Sequence, residues 1–164
     1  MIHNKKFQTT DEKGQSIALG HLKQVMENCT LTIEQHIDDC NPIDIYITAV
    51  TPSNKTELYA FECKHRQKYT YDYVMKNGAM LELDKKANIY RAIKDGYKGV
   101  YMMTFSDGYM IWVLNSIKDD VDALPLTFVK CPKTTVVDSG SKNKACLILP
   151  YSLCKYSRRL QKNN

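Results

Sequence analysis

Three runs of β-forming residues follow one another between residues 31 and 64, and two of them carry charge in otherwise apolar sequence. Leu31 to Ile37 alternates, with Leu31, Ile33, Gln35 and Ile37 on one side and Thr32, Glu34 and His36 on the other. Ile43 to Val50 is rich in β-branched residues and contains Asp44, and Leu58 to Lys64 contains Glu62 and Lys64. Asp38-Asp39-Cys40-Asn41-Pro42 and Thr51-Pro52-Ser53-Asn54-Lys55 are turn clusters between the runs. A charged side chain in a half-buried strand needs a partner, because burying it alone is costly. That need restricts how the strands pair. A hairpin turning around Ser53 sets Asp44 opposite Glu62, and opposed residues share a face. Lys64, two residues on, shares it too. Ile43, Ile45 and Ile47 are then expected on the other face, with Phe61 and Cys63.

The flanking sequence extends this into a fold. Residues 11 to 28 predict a helix, with Ala18, Leu22, Val25, Met26 and Cys29 as its apolar stripe. Residues 80 to 95 predict a second helix, stopped at Gly96. Gly99 to Phe105 and Tyr109 to Leu114 predict two more strands joined by a tight turn, Ser106-Asp107-Gly108. The expectation is an α/β fold: a mixed β-sheet with an α-β-β-β-α-β core and helices on both faces. Beyond Ile117 the pattern weakens, with Leu124 to Lys130 and Ala145 to Leu149 as short added strands. Residues 1–150 are read as a single domain with its core in about 11–115, and 151–164 as a basic C-terminal tail. With 164 residues, 43% of them hydrophobic, such a domain builds a core without disulfide or metal.

The formal net charge of +5 suits an anionic partner but falls far short of a protein that merely wraps nucleic acid by charge. The six cysteines, Cys29, Cys40, Cys63, Cys131, Cys146 and Cys154, form no CxxC pair. The first seven residues show no apolar signal core, and no run is long enough to span a bilayer. Reduced thiols, a cytoplasmic location and no membrane partner are the expectations.

Two converging carboxylates repel each other and favour a divalent cation between them. Hard oxygen ligands suit Mg²⁺ or Mn²⁺. A lysine beside such a site can orient a water or stabilise developing phosphate charge, which is what phosphodiester hydrolysis needs. Glu34 and His36 share a strand face and could also reach the site. After the third strand, His65-Arg66-Gln67-Lys68-Tyr69-Thr70-Tyr71-Asp72-Tyr73 interleaves basic residues with three tyrosines. Arg66, Lys68 and Tyr69 are therefore candidate nucleic-acid contacts, through phosphates and stacked bases.

Asn41-Pro42-Ile43-Asp44 followed by Glu62-Cys63-Lys64 resembles the PD-(D/E)xK nuclease superfamily, the restriction-endonuclease-like fold, over about residues 11–115. The Pro-Asp dipeptide is interrupted by Ile43. The resemblance implies a Mg²⁺- or Mn²⁺-dependent nuclease acting on DNA, with Asp44 and Glu62 as metal ligands and Lys64 as catalytic lysine. It implies an acid on the first helix, for which Glu12 and Glu27 are candidates. Glu34 is the further candidate for an extra metal ligand, from its strand. Exonuclease branches carry a Gln and a Tyr four apart on the second helix, where this chain has Lys86 and Tyr90, which share a helix face and are further candidate contacts to a nucleic-acid phosphate backbone. Junction-resolving members are of similar size and often dimeric, which implies branched DNA as a substrate and a homodimer as a state. A binding module of the same fold without cleavage, and an interaction protein with a structural charge cluster, are the alternatives.

Overall fold

A computed structural model describes residues 5–36, 41–132 and 140–161, with the side chains of 5–11 and 131–132 left aside. Helix α1 (Lys5–Val25) leads into strands β1 (Thr30–Gln35), β2 (Ile45–Val50) and β3 (Thr56–Arg66). A short helix α2 (Tyr71–Asn77), a strand β4 (Ala79–Glu82) and helix α3 (Leu83–Lys94) follow. Then come β5 (Lys98–Phe105), β6 (Gly108–Val113), a 3₁₀ turn, the short helix α4 (Lys118–Asp122), β7 (Thr127–Pro132), β8 (Ser141–Leu149) and β9 (Tyr156–Arg159). The protein is a mixed α/β fold. Its main sheet has six strands in the order β1-β2-β3-β5-β6-β9, and only the β3–β5 pair is parallel.

The β2–β3 hairpin has the expected register, running from Val50 opposite Thr56 to Ile45 opposite Phe61. Its turn is closed by Asn54 in the left-handed region at φ 61° and by Thr51 Oγ1, which accepts from Lys55 N at 3.1 Å. Alternation along the strands makes two cores. Ile45, Ile47, Phe61, Val100, Met102 and Ile111 pack with Ala18 and Leu22 of α1 on one face. Ala60, Tyr101, Met103, Met110 and Trp112 pack with Ile89 and Ala92 of α3 on the other. Helices therefore cover both faces. α3 lies so close to β5 that a Cβ on Gly99 would fall 2.5 Å from Ile89 Cγ2.

Several expectations need correction. Ile43 does not continue β2. The chain bends at 42–44, Ile43 N donates to Asn41 Oδ1 at 3.0 Å, and the side chain joins the α3-side core. The stretch after β3 is not all loop: Thr70 caps α2, and Tyr71 is buried with its hydroxyl 2.8 Å from Ser157 Oγ. β4 was hidden at the start of the second predicted helix. With β8 and β7 it forms a separate three-stranded sheet, so the two added strands exist but not on the main sheet. The basic segment read as a tail supplies β9, the edge strand on β6. Residues 37–40 and 162–164, with the predicted turn and strand end that fall on them, lie outside the described residues.

Candidate metal and phosphate site

β3 carries Glu62 and Lys64 on the α3-side face, opposite Tyr101 and Met103 of β5. Arg66, at the strand's end, has the same parity. Asp44 sits at the bend before β2, one position beyond the last hairpin pair, and its Oδ2 accepts from Cys63 N at 2.8 Å. The strand register and that hydrogen bond bring Asp44 to Glu62. Burial, and then the Asp44 carboxylate, push Glu62 up to about 7, against the lowering pull of Lys85 and Lys64. Burial and the same two carboxylates hold the Cys63 thiol high, so it stays a neutral neighbour.

Two more residues enter that the sequence reading missed. Gln15 of α1 is 6% exposed, and its Nε2 donates to His36 O at 2.8 Å and lies 3.4 Å from Asp44 Oδ1. A carbonyl can only accept, so the amide orientation is fixed and Oε1 is the other end. That Oε1 is buried with no hydrogen-bond partner, and so is Glu62 Oε2. Lys85, in the first turn of α3, places Nζ 2.8 Å from Glu62 Oε1. Burial works against the Lys85 ammonium, but Glu62 and Asp44 outweigh it and raise its pKa.

The remaining predicted residues fall as follows. Glu12 is exposed, one helical turn before Gln15, and Glu27 is exposed beyond the far end of α1. The helix residue that reaches Asp44 is Gln15, three residues after Glu12. Glu34 has a side chain 70% exposed and its Oε1 lies 2.8 Å from His36 Nε2. Among the described residues no three His, Cys, Asp or Glu side chains gather as a metal site, so Glu34 does not join Asp44 and Glu62. Lys86 and Tyr90 engage Asp122 instead, at 2.6 and 3.0 Å, with Lys118 Nζ also 2.6 Å from that carboxylate. One residue along a helix turns the side chain by about 100°, which is why Lys85 reaches Glu62 and Lys86 does not. Lys68 is exposed and Arg66 and Tyr69 are half-buried, with the Tyr69 ring 4.6 Å from Tyr73.

Asp44 and Glu62 bring two carboxylates together, and Glu62 Oε2 and Gln15 Oε1 are each buried with no hydrogen-bond partner. Such atoms normally find a hydrogen bond or an ion, and carboxylate oxygens are the hard donors that Mg²⁺ or Mn²⁺ takes. A cavity of about 220 Å³ lies on the opposite face of the sheet, lined by Leu22, Phe61, Val100 and Ile111 among others, and contains none of these groups. Cys29, Cys63 and Cys154 carry free thiols and Cys146 Sγ donates to Lys144 O; Cys40 and the Cys131 side chain lie outside the described residues. No described helix is long and apolar enough to cross a membrane. No family model matches the chain, and no curated protein and no solved structure matches it.

Proposed function

We propose that this protein is a divalent-metal-dependent nuclease of the PD-(D/E)xK type that hydrolyses phosphodiester bonds in DNA. The observation that carries the reading is Asp44 beside a buried Glu62 whose Oε2 has no hydrogen-bond partner, with Lys64 two residues on along the same strand face. Asp44, Glu62 and the Gln15 amide oxygen would hold Mg²⁺ or Mn²⁺. When bound, that ion supplies positive charge for the phosphate and acidifies a water. Lys64 holds an ammonium on the same strand face, where it orients the attacking water or meets the charge that develops on phosphate. Arg66, two residues further, continues the basic surface along the backbone of the substrate. The element order helix, three strands, helix, two strands supports the restriction-endonuclease-like reading, with α2 and β4 inserted before α3.

Gln15 favours a second reading. A neutral amide in place of an acid on the first helix suits a binding module of the same fold that does not cleave. One set of measurements separates the two. Mn²⁺ should raise the melting temperature of wild type by mass action, and Asp44→Asn should abolish the rise. On a panel of linear, circular, flapped and four-way DNA with Mg²⁺ or Mn²⁺, wild type should cut. Lys64→Ala should cut roughly 10²-fold more slowly while still binding, as expected for losing one charge-stabilising or proton-transferring group. Binding by both proteins with cleavage by neither establishes the binding module. Neither binding nor cleavage leaves the Lys85–Glu62 pair as a structural cluster.

A further inference from the structure

The β7–β8 hairpin is not needed for the site just described, yet the fold anchors it there. Glu82 ends β4 and immediately precedes α3, whose Lys85 reaches Glu62. Glu82 pairs with Cys146 of β8, and its carboxylate holds Lys144 Nζ at 2.7 Å. From Cys146 backwards, β8 leaves β4 behind and continues only with β7, to the pair Pro132 and Ser141. Lys142 therefore lies four residues, or roughly 13 Å, beyond the Glu82 level along an extended strand. The hairpin is an arm projecting past the start of α3.

Its inner half is core: Leu147 and Leu149 of β8 and Ala79 and Leu81 of β4 are buried together. Its outer half presents the same parity to solvent. Phe128 lies opposite Ala145 and Lys130 opposite Asn143, so Phe128 and Lys130 continue the face that Leu147 buries further in. Phe128 is 68% exposed and Leu126, two residues before it, 55%. Folding leaves this apolar stripe uncovered. The described residues of β7 and β8 include Lys130, Lys142 and Lys144 and no acidic side chain. Lys144 ties the arm to β4, whereas Lys130 and Lys142 are exposed, Lys130 on the Phe128 face and Lys142 on the other. An exposed aromatic ring beside an exposed lysine, on a hairpin whose described side chains include no acid, is complementary to an unpaired nucleic-acid strand, whose bases stack and whose phosphates seek lysines.

We infer that the β7–β8 arm is a clamp for single-stranded DNA next to the cleavage site, with Phe128 stacking on a base and Lys130, on the same face, holding a phosphate. This rests on the nuclease reading and narrows its substrate to DNA with an unpaired strand at the scissile region, such as a flap or branch. The test is fluorescence anisotropy with labelled single-stranded, flapped and fully duplex DNA. All proteins carry Lys64→Ala, which slows cutting roughly 10²-fold so that the DNA stays largely intact during the titration. Phe128→Ala should weaken single-strand and flap binding about tenfold, within the range for one stacked base, while duplex binding changes little. Lys130→Ala should flatten the slope of log affinity against log salt by about 0.7, one phosphate contact on a single strand, and Lys142→Ala, on the other face, should not. The three side chains are exposed, and unchanged melting curves check the fold of each variant. If the parent binds DNA and the Phe128→Ala and Lys130→Ala variants bind all three ligands equally well, the arm is not a clamp and the nuclease reading stands. If the parent binds no DNA, both fall together. If Phe128→Ala turns a dimer into a monomer in sedimentation without changing strand affinity, the stripe is a self-interface and the clamp is refuted.

Discussion

Replacing Glu62 with glutamine should change how the stability of the metal-free protein depends on pH. Burial and Asp44 hold Glu62 at about 7, against an ordinary 4.5. The folded state therefore binds this proton more tightly than the unfolded chain does. A protonated Glu62 adds stability that is complete below about pH 4.5 and is lost as pH rises through about 7. At about 1.4 kcal/mol per pH unit, the gap corresponds to about 3 kcal/mol. Glutamine keeps the shape and does not titrate. Lys85 loses its partner in the variant, but its side chain is 37% exposed and can turn to water, which gives a constant offset and no slope. The assay is urea unfolding in a chelator from pH 4.5 to 8, comparing Glu62→Gln with wild type at each pH. Groups that titrate alike in both proteins cancel in the difference. The variant should gain on wild type by about 3 kcal/mol across that window, and Mn²⁺ should shrink the gain by favouring the ionised carboxylate. Parallel pH profiles would mean that Glu62 is not held protonated beside Asp44, and would refute the reasoning from which the cation site is built.

Gln15→Glu should bind Mn²⁺ at least about tenfold tighter in calorimetric titration, because a carboxylate replaces a neutral oxygen ligand. The same variant should be less stable without metal by about 1–3 kcal/mol, since it brings a third negative charge to Asp44 and leaves His36 O without its donor. Unchanged Mn²⁺ affinity would remove Gln15 from the site. Gly99→Ala should destabilise the protein by about 1–3 kcal/mol in thermal or urea unfolding, as overpacking does, because the new methyl meets Ile89 Cγ2 at 2.5 Å and Ile93 Cγ1 at 2.7 Å. A loss within measurement error would show that α3 rides loosely on β5.

The parts that were legible in sequence are those set by local period and turn chemistry. Strand parity placed Glu62 and Lys64 on one face, and the Thr51–Lys55 turn fixed the register that brings Asp44 alongside. What was not legible depends on contacts across the chain. Gln15 continues the stripe of Ala18 and Leu22 at helical spacing, three and seven residues before them, but a polar residue does not announce itself as part of an apolar face. Only the buried carbonyl of His36 and the Asp44 carboxylate make that position polar. β4 is four residues long and runs directly into α3, so no turn residue separates the two. β9 reads as a basic tail because all four of its residues are exposed, and its ladder to β6 consists of backbone bonds that no side-chain pattern records.

The placement of the charges follows from one strand leaving the core. Along the α3-side face of β3, Ala60 is fully buried, Glu62 is 4% exposed, and Lys64 and Arg66 are half-buried. The face that packs the core thus becomes, within two side chains, the face that meets solvent. A carboxylate at that boundary is dry enough to be shifted upward and close enough to the opening to be reached. α3 begins at the same boundary, and the positive end of its helix dipole favours an anion such as Glu62 while disfavouring a cation in the first turn. Lys85 occupies that turn nevertheless, and its ion pair with Glu62 offsets the penalty. The pair is therefore one the fold keeps while Glu62 is ionised and no stronger cation is present. Glu62, Asp44 and Asp84 together hold the Lys85 ammonium there against burial, so its place depends on those carboxylates staying ionised.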